Sequence, residues 1–181
     1  MDEESKKLEI LDSLIEAAFS KKELITYETE LSQVISWDES WGGIGLFHKS
    51  QRIKFFGVGI YVCDLGMLTQ DSIQVDLEGM TVYITVPSPV IKGVNIDEGK
   101  TQYEDTDRGW LRFGGIKLTS EQYNSMYGRV KASMEKQLKE PGVIAKAQDG
   151  TRDAVRSVME EILGPVGDFT VRVYLEQGQL Y

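Results

Sequence analysis

The sequence predicts an α+β fold: a largely antiparallel sheet, with an N-terminal amphipathic helix and a C-terminal helical pair packed on one face. Three observations carry this. Residues 51–89 form the longest β-rich run, with apolar and polar residues alternating at period 2 over 72–77 and 80–86. Apolar residues recur at helical spacing near the N-terminus and again between Tyr123 and Ile162. The chain then closes on a third alternating run, residues 168–176, which returns to the sheet.

Taken in order, residues 3–19 place Leu8, Leu11, Leu14, Ile15, Ala18 and Phe19 on one helical face. That face needs a partner surface: the rest of the chain, a second copy, or continuity with a membrane helix. The expected division is a helix over 1–21 and a single α+β domain over 22–181. Residues 23–34, rich in β-branched side chains and Tyr27, read as a strand. A loop over 37–45 carries Trp37 and Trp41, expected to lie over the sheet edge, with a ligand-stacking platform as the sharper alternative. Residues 52–63 are a longer apolar strand in which Gly57 and Gly59 mark a bulge or a close backbone approach. The next two strands form a hairpin in which Leu77 faces Met80, Val75 faces Val82 and Ile73 faces Ile84. In its Glu78-Gly79 loop the glycine is expected to take a positive φ. The three strands are expected to be neighbours, and Pro87 and Pro89 end the ladder because neither donates a backbone hydrogen bond.

Residues 90–96 are short and apolar, 97–109 acidic and turn-rich, and 110–118 extended. Thr119 followed three residues later by Gln122 fits a capping box. Tyr123, Met126, Tyr127, Val130, Met134 and Leu138 then share a helical face, which Pro141-Gly142 interrupts. A second helix is expected to present Ile144, Ala147, Thr151, Ala154, Val155, Val158 and Ile162, and to stop at Gly164-Pro165. Phe169, Val171, Val173 and Leu175 alternate along the last strand.

Composition narrows function by exclusion. With 181 residues, 41% hydrophobic and 27% charged, the chain is an ordinary globular domain. A net charge of −9 without a basic cluster argues against nucleic acid and weakens electrostatic docking on an anionic membrane. Cys63 is the only cysteine, so no internal disulfide forms, and its apolar strand marks it as core. There is no apolar run of membrane-spanning length and no signal peptide.

The motifs that suggest chemistry fail on spacing. Gly99-Lys100-Thr101 lacks the earlier glycine of a phosphate loop, since position 94 is Val94. Gly57-Val58-Gly59 meets Val62 where a dinucleotide fingerprint needs glycine. An EF-hand register starting at Asp105 puts Gly109 one position early and Ile116 where the bidentate glutamate belongs. A looser calcium site from Asp97, Glu98, Glu104, Asp105 and Asp107 stays open beside the plainer reading of a solvated acidic loop. His48, the only histidine, has no nucleophile elbow to serve, and makes a poor zinc set with one cysteine. Ser133 and Lys136 give Ser-x-x-Lys without its companion motifs, so helical spacing explains the pair.

Read together, KELITYETEL (22–31), FFGVGIYVCDLGML (55–68), TVYITVPSPVI (81–91) with Asn95-Ile96-Asp97, the helix before Leu163-Gly164-Pro165, and FTVRVYL (169–175) resemble a bacterial family known as a domain of unknown function, family 4230. The likeness covers about residues 22–176 and departs from the family's Gly-Ile-Asp-Leu pattern at Cys63-Asp64-Leu65. It implies a soluble domain behind an N-terminal membrane anchor that lies outside this sequence, with the extracytoplasmic side favoured, and it brings no catalytic residues. The expected function is non-catalytic binding or assembly in the bacterial cell envelope, with a protein partner or a second copy. A carboxylate-based hydrolase and a calcium-stabilised interaction module are the alternatives.

Overall fold

The structure, a computed structural model, describes residues 3–38, 50–103 and 119–176. Trp41, His48, Glu104, Asp105, Asp107 and the extended segment 110–118 lie outside the described residues, and of Trp37 only the backbone is described. Helix α1 spans Glu3–Lys21, followed by strands β1 (Glu23–Asp38), β2 (Ser50–Asp64), β3 (Ile73–Asp76), β4 (Thr81–Val86) and β5 (Val90–Tyr103). Helices α2 (Ser120–Leu138) and α3 (Pro141–Leu163) and strand β6 (Thr170–Leu175) complete the order. Two three-stranded sheets result, ordered β1-β2-β5 and β3-β4-β6, so the α+β class holds with two sheets in place of the expected one. The chain divides into two compact units. Unit 1 takes Met1–Glu28, Ile60–Lys92 and Pro141–Tyr181, and unit 2 takes Thr29–Gly59 and Gly93–Glu140.

In unit 1 the hairpin pairs in the expected register, with Ile73 opposite Ile84 and Val75 opposite Val82. The turn differs. Residues 77–80 form a four-residue turn, and the positive φ of 45° falls on Met80 rather than on Gly79. The Gly79 N–H donates to Asp76 Oδ1 at 2.9 Å, and a Cβ there would sit 2.5 Å from Asp76 Oδ2, so a side chain at this position would displace the carboxylate that accepts the bond. Strand β6 lies parallel to β4, with Val171 opposite Val82 and Val173 opposite Ile84. A strand entering from a helix, rather than from a hairpin, is free to pair in parallel.

The expected adjacency of the 52–63 strand to the hairpin is not observed. Strand β2 runs 15 residues and pairs with β1 and β5, of 16 and 14 residues, whereas β3 and β4 have only 4 and 6. A long ladder needs long partners, and the second edge of β4 is taken by β6.

One face of the β3-β4-β6 sheet is apolar, and Val75, Val82, Ile84, Val86, Val171 and Val173 bury it against helical residues. Helix α1 supplies Ile10, Leu14 and Ala18, and α3 supplies Val155, Met159 and Leu163. The N-terminal amphipathic helix thus buries its central stripe within its own unit, while Leu8 and Phe19, expected on the buried face, are about half exposed at 50% and 52%. The face of α3 also differs from expectation. Ala147, Thr151, Val155, Met159 and Leu163 are buried in a strict i,i+4 row, and Val158 and Ile162 flank it half-buried. Thr151 places its hydroxyl 2.8 Å from both the Thr26 hydroxyl and the Ala147 carbonyl. One proton cannot be donated twice, so Thr151 donates to Ala147 and accepts from Thr26.

In unit 2 the glycines of β2 make the expected close approach. A Cβ on Gly59 would meet Leu138 Cδ2 at 2.4 Å, and one on Gly57 would meet the Asn95 carbonyl at 2.9 Å and Met134 Sδ at 3.2 Å. Two residues of strand advance about 6.6 Å and four of helix about 6.0 Å, so Gly57/Gly59 and Met134/Leu138 stay in step. Thr119 caps α2 through the expected box: its hydroxyl accepts from Gln122 N at 3.2 Å, and its own N–H donates to Gln122 Oε1 at 2.8 Å. Residues 97–103, read as turn-rich, instead continue β5, and the charges there suit an edge strand that must not recruit another. Trp37, read as loop, is likewise at the end of β1. Among the described residues, no helix is long and apolar enough to cross a membrane.

Candidate functional site

Helix α1 ends through a strained residue. Lys22 takes a left-handed φ of 43°, its N–H donates to Ala18 O at 2.9 Å, and its carbonyl accepts from Leu65 N at 2.6 Å and Gly66 N at 3.3 Å. A non-glycine residue in this region costs about 1–3 kcal/mol and persists where surrounding bonds fix it. On the other side, Asp64 ends β2 and caps a single 3-10 turn, Leu65–Met67, accepting the Gly66 N–H at 2.9 Å. Leu65 turns into the core, and the same turn carries Met67 outward.

These two turns border a groove of about 470 Å³ in unit 1. Its apolar lining is Phe19 from α1, Met67 from the turn, Val90 at the start of β5, and the buried Val62 of β2. Phe19, Met67 and Val90 are 52%, 67% and 61% exposed, more than half open to solvent in each case. Lys22, Glu23, Asp64 and Gly66 complete the wall. The volume falls in the range of about 300–1,000 Å³ typical of ligand sites. Its charged groups carry both signs: Glu23 pairs with Lys92, Asp64 is spent on its cap, and Lys22 extends an ammonium into solvent. Sequence reasoning missed this site because periodicity placed Phe19 on the buried face; the readable signal was an Asp-x-Gly turn followed by an apolar residue, Asp64-Leu65-Gly66-Met67.

The groups considered for chemistry are placed as follows. Cys63 is fully buried and its thiol lies 3.3 Å from the Pro87 carbonyl. Burial first, then the charges of Asp64 and Glu176, push it from about 9 up to about 12, so it holds its proton and stays a core residue. Tyr61 is raised by burial and then by Tyr27, whose ring lies 6.1 Å away. Ser133 donates to Gln33 Oε1 at 2.6 Å, and Gln137 reaches the same oxygen at 3.3 Å, so Ser133 is occupied by a glutamine network within unit 2 rather than by Lys136. Gly99-Lys100-Thr101 lies inside β5, with no strand-to-helix turn.

Of the calcium candidates, Asp97 and Glu98 are described. Asp97 accepts the Gly99 N–H at 3.1 Å and lies 3.6 Å from Lys100 Nζ, and Glu98 is exposed on the same strand. Among the described residues, no three His, Cys, Asp or Glu side chains are grouped closely enough to hold a metal ion. Tyr103, Tyr123 and Tyr127 gather in unit 2 beside Glu98; burial first and Glu98 second raise the Tyr123 hydroxyl.

Fold and groove together define an α+β domain with an exposed apolar recess. Residues 20–173 match the family described as Protein of unknown function (DUF4230), and the chain belongs to that family. No curated protein and no solved structure matches it.

Proposed function

We propose that this chain is a non-catalytic binding domain of a membrane-anchored bacterial envelope protein, and that the groove of unit 1 receives a short apolar segment of a protein partner. The observation that carries this reading is the convergence of Phe19, Met67 and Val90, each more than half exposed, on one recess of about 470 Å³. Exposed apolar side chains gathered in one place cost solubility and mark interaction sites. The charge around the recess favours polypeptide over lipid: an anionic membrane calls for clustered cations, whereas Lys22, the Glu23–Lys92 pair and Asp64 present both signs. The nearest carboxylates are already engaged, one in an ion pair and one in a cap, which favours binding over acid–base chemistry. Membrane anchoring and the extracytoplasmic side rest on the family likeness.

The test follows the methyl NMR signals of Met67, Val62 and Val90 during titration with acetyl-Leu-Phe-Leu-amide, with phosphatidylglycerol vesicles, and with protein concentration alone. Saturable shifts with the peptide, lost in Met67→Ser, support the reading. Shifts with vesicles alone would assign the groove to lipid, shifts with concentration alone to a second copy, and either result overturns the proposal.

A further inference from the structure

We infer that the outer edge of β6 pairs antiparallel with the same strand of a second copy of this chain, joining two β3-β4-β6 sheets into one across a twofold axis. This edge lies outside the lining of the groove, and the inference does not rest on what the groove binds. Strand β6 closes one side of its sheet, with β4 as its only strand neighbour among the described residues. Thr170 N–H donates to the Met80 carbonyl at 2.9 Å and Glu176 N–H to the Val86 carbonyl at 2.8 Å, so the even-numbered residues turn their main-chain groups toward β4. Val171, Val173 and Leu175 therefore turn theirs to the other side. Val171 shows this directly, since its N–H donates to Glu160 Oε1 of α3 at 3.4 Å. That side chain caps one position of the edge. Val173 and Leu175 follow it, on a strand with no proline and no lysine to discourage pairing.

The outward side chains select the partner and the register. Arg172, Tyr174 and Glu176 are exposed, and Tyr174 stacks on Tyr83 of β4 with ring centroids 6.5 Å apart and planes 23° from parallel. Arg172 and Glu176 stand about 13 Å apart along one extended strand, too far to pair with each other. An antiparallel partner with Val173 opposite Leu175 of the second copy reverses the order of these charges. Arg172 then faces Glu176 of the other copy, and the twofold axis repeats the pair. Tyr174 faces Tyr174 at a non-hydrogen-bonded position, where side chains come closest. The main-chain groups of Val173 and Leu175 bond across the axis, and the Glu160 cap on Val171 stays in place. Other registers are worse. Val173 opposite Val173 sets Arg172 against Tyr174, and Val171 opposite Val173 sets Arg172 against Arg172; both displace Glu160. The opposite edge of the sheet makes a poorer self-partner, because β3 has only four residues and Asp76 is its one charge. A strand of another protein would need the same charges in the same order, whereas a second copy carries them already.

The experiment is sedimentation equilibrium of the full chain from about 10 μM to about 1 mM, because one strand pair is smaller than a standard interface and binds weakly. A monomer–dimer equilibrium is expected. Arg172→Glu and Glu176→Arg each set like charges opposite one another in the homodimer and weaken it at least about tenfold. Mixed in equal amounts, the two variants place glutamate opposite arginine at both positions, and the dimer returns. The double variant carrying both changes restores it as well. Circular dichroism confirms that every variant folds. Mild oxidation links Tyr174→Cys through its facing position but leaves Arg172→Cys unlinked, Cys63 being buried in both. A chain monomeric throughout the range, a dimer indifferent to either charge reversal, a mixture no more associated than its components, or equal cross-linking at both positions would each overturn the inference.

Discussion

Replacing Gly59 by alanine places a methyl group where helix α2 already is. The new Cβ would lie 2.4 Å from Leu138 Cδ2, 2.9 Å from Cδ1 and 3.1 Å from Cγ, against an ordinary carbon–carbon contact of about 3.5–4.0 Å. Leu138 is fully buried at the last turn of α2, so relief requires an unfavourable rotamer or a lifted helix end. Overpacking of this kind costs about 1–3 kcal/mol. Alanine returns about 0.4–1 kcal/mol by restricting the unfolded chain, leaving a net loss of about 1–2 kcal/mol. Leu138→Ala alone opens a cavity and costs about 2–5 kcal/mol.

Combined, the two changes compensate: the methyl group introduced by Gly59→Ala enters the space that Leu138 vacates, and the double variant is more stable than the sum of the singles by about 1–2 kcal/mol. Urea unfolding followed by far-ultraviolet circular dichroism measures all four corners of the cycle. Additivity within about 0.5 kcal/mol would refute the close-approach argument. Gly57 supplies the control, because its obstruction is the Asn95 carbonyl as well as Met134. Gly57→Ala is therefore not rescued by Met134→Ala.

Two further perturbations test other features. Cys63 is raised from about 9 to about 12, so between those values the folded state keeps a proton that the unfolded state releases. Stability is full below about 9 and falls as pH rises through that window, by up to about 1.4 kcal/mol per pH unit from this group. Urea midpoints taken at pH about 8 and about 10 should fall further in the native chain than in Cys63→Val, and equal falls would remove the buried thiol as the cause. On α3, Met159→Ala should cost about 2–5 kcal/mol and Val158→Ala less than about 1.5, and the reverse order in thermal unfolding would show that the i,i+4 row is misplaced.

The hairpin register was legible because Ile73, Val75, Val82 and Ile84 leave one arrangement with a continuous apolar face, and a slip of one residue would turn them all outward. The α2 cap was legible because Thr119 and Gln122 satisfy each other locally. Sheet membership was not, since the apolar pattern of β2 states that it is buried and says nothing about which strands it joins. The face of α3 was ambiguous by one position, because Val158 and Met159 are both apolar and only packing chooses between them. The groove was hidden for a related reason. Periodicity assigns Phe19 to the stripe of Leu14 and Ala18, but α1 ends within one turn of it, at Lys21.

Apart from Phe19, every residue lining the groove belongs to the three stretches 22–31, 55–68 and 81–91 that carry the family likeness. The groove also depends on main-chain features, a left-handed Lys22 and a capped Asp64 turn. A relative that keeps the Asp-x-Gly-Met turn should bind the same apolar peptide, and one that lacks it should not.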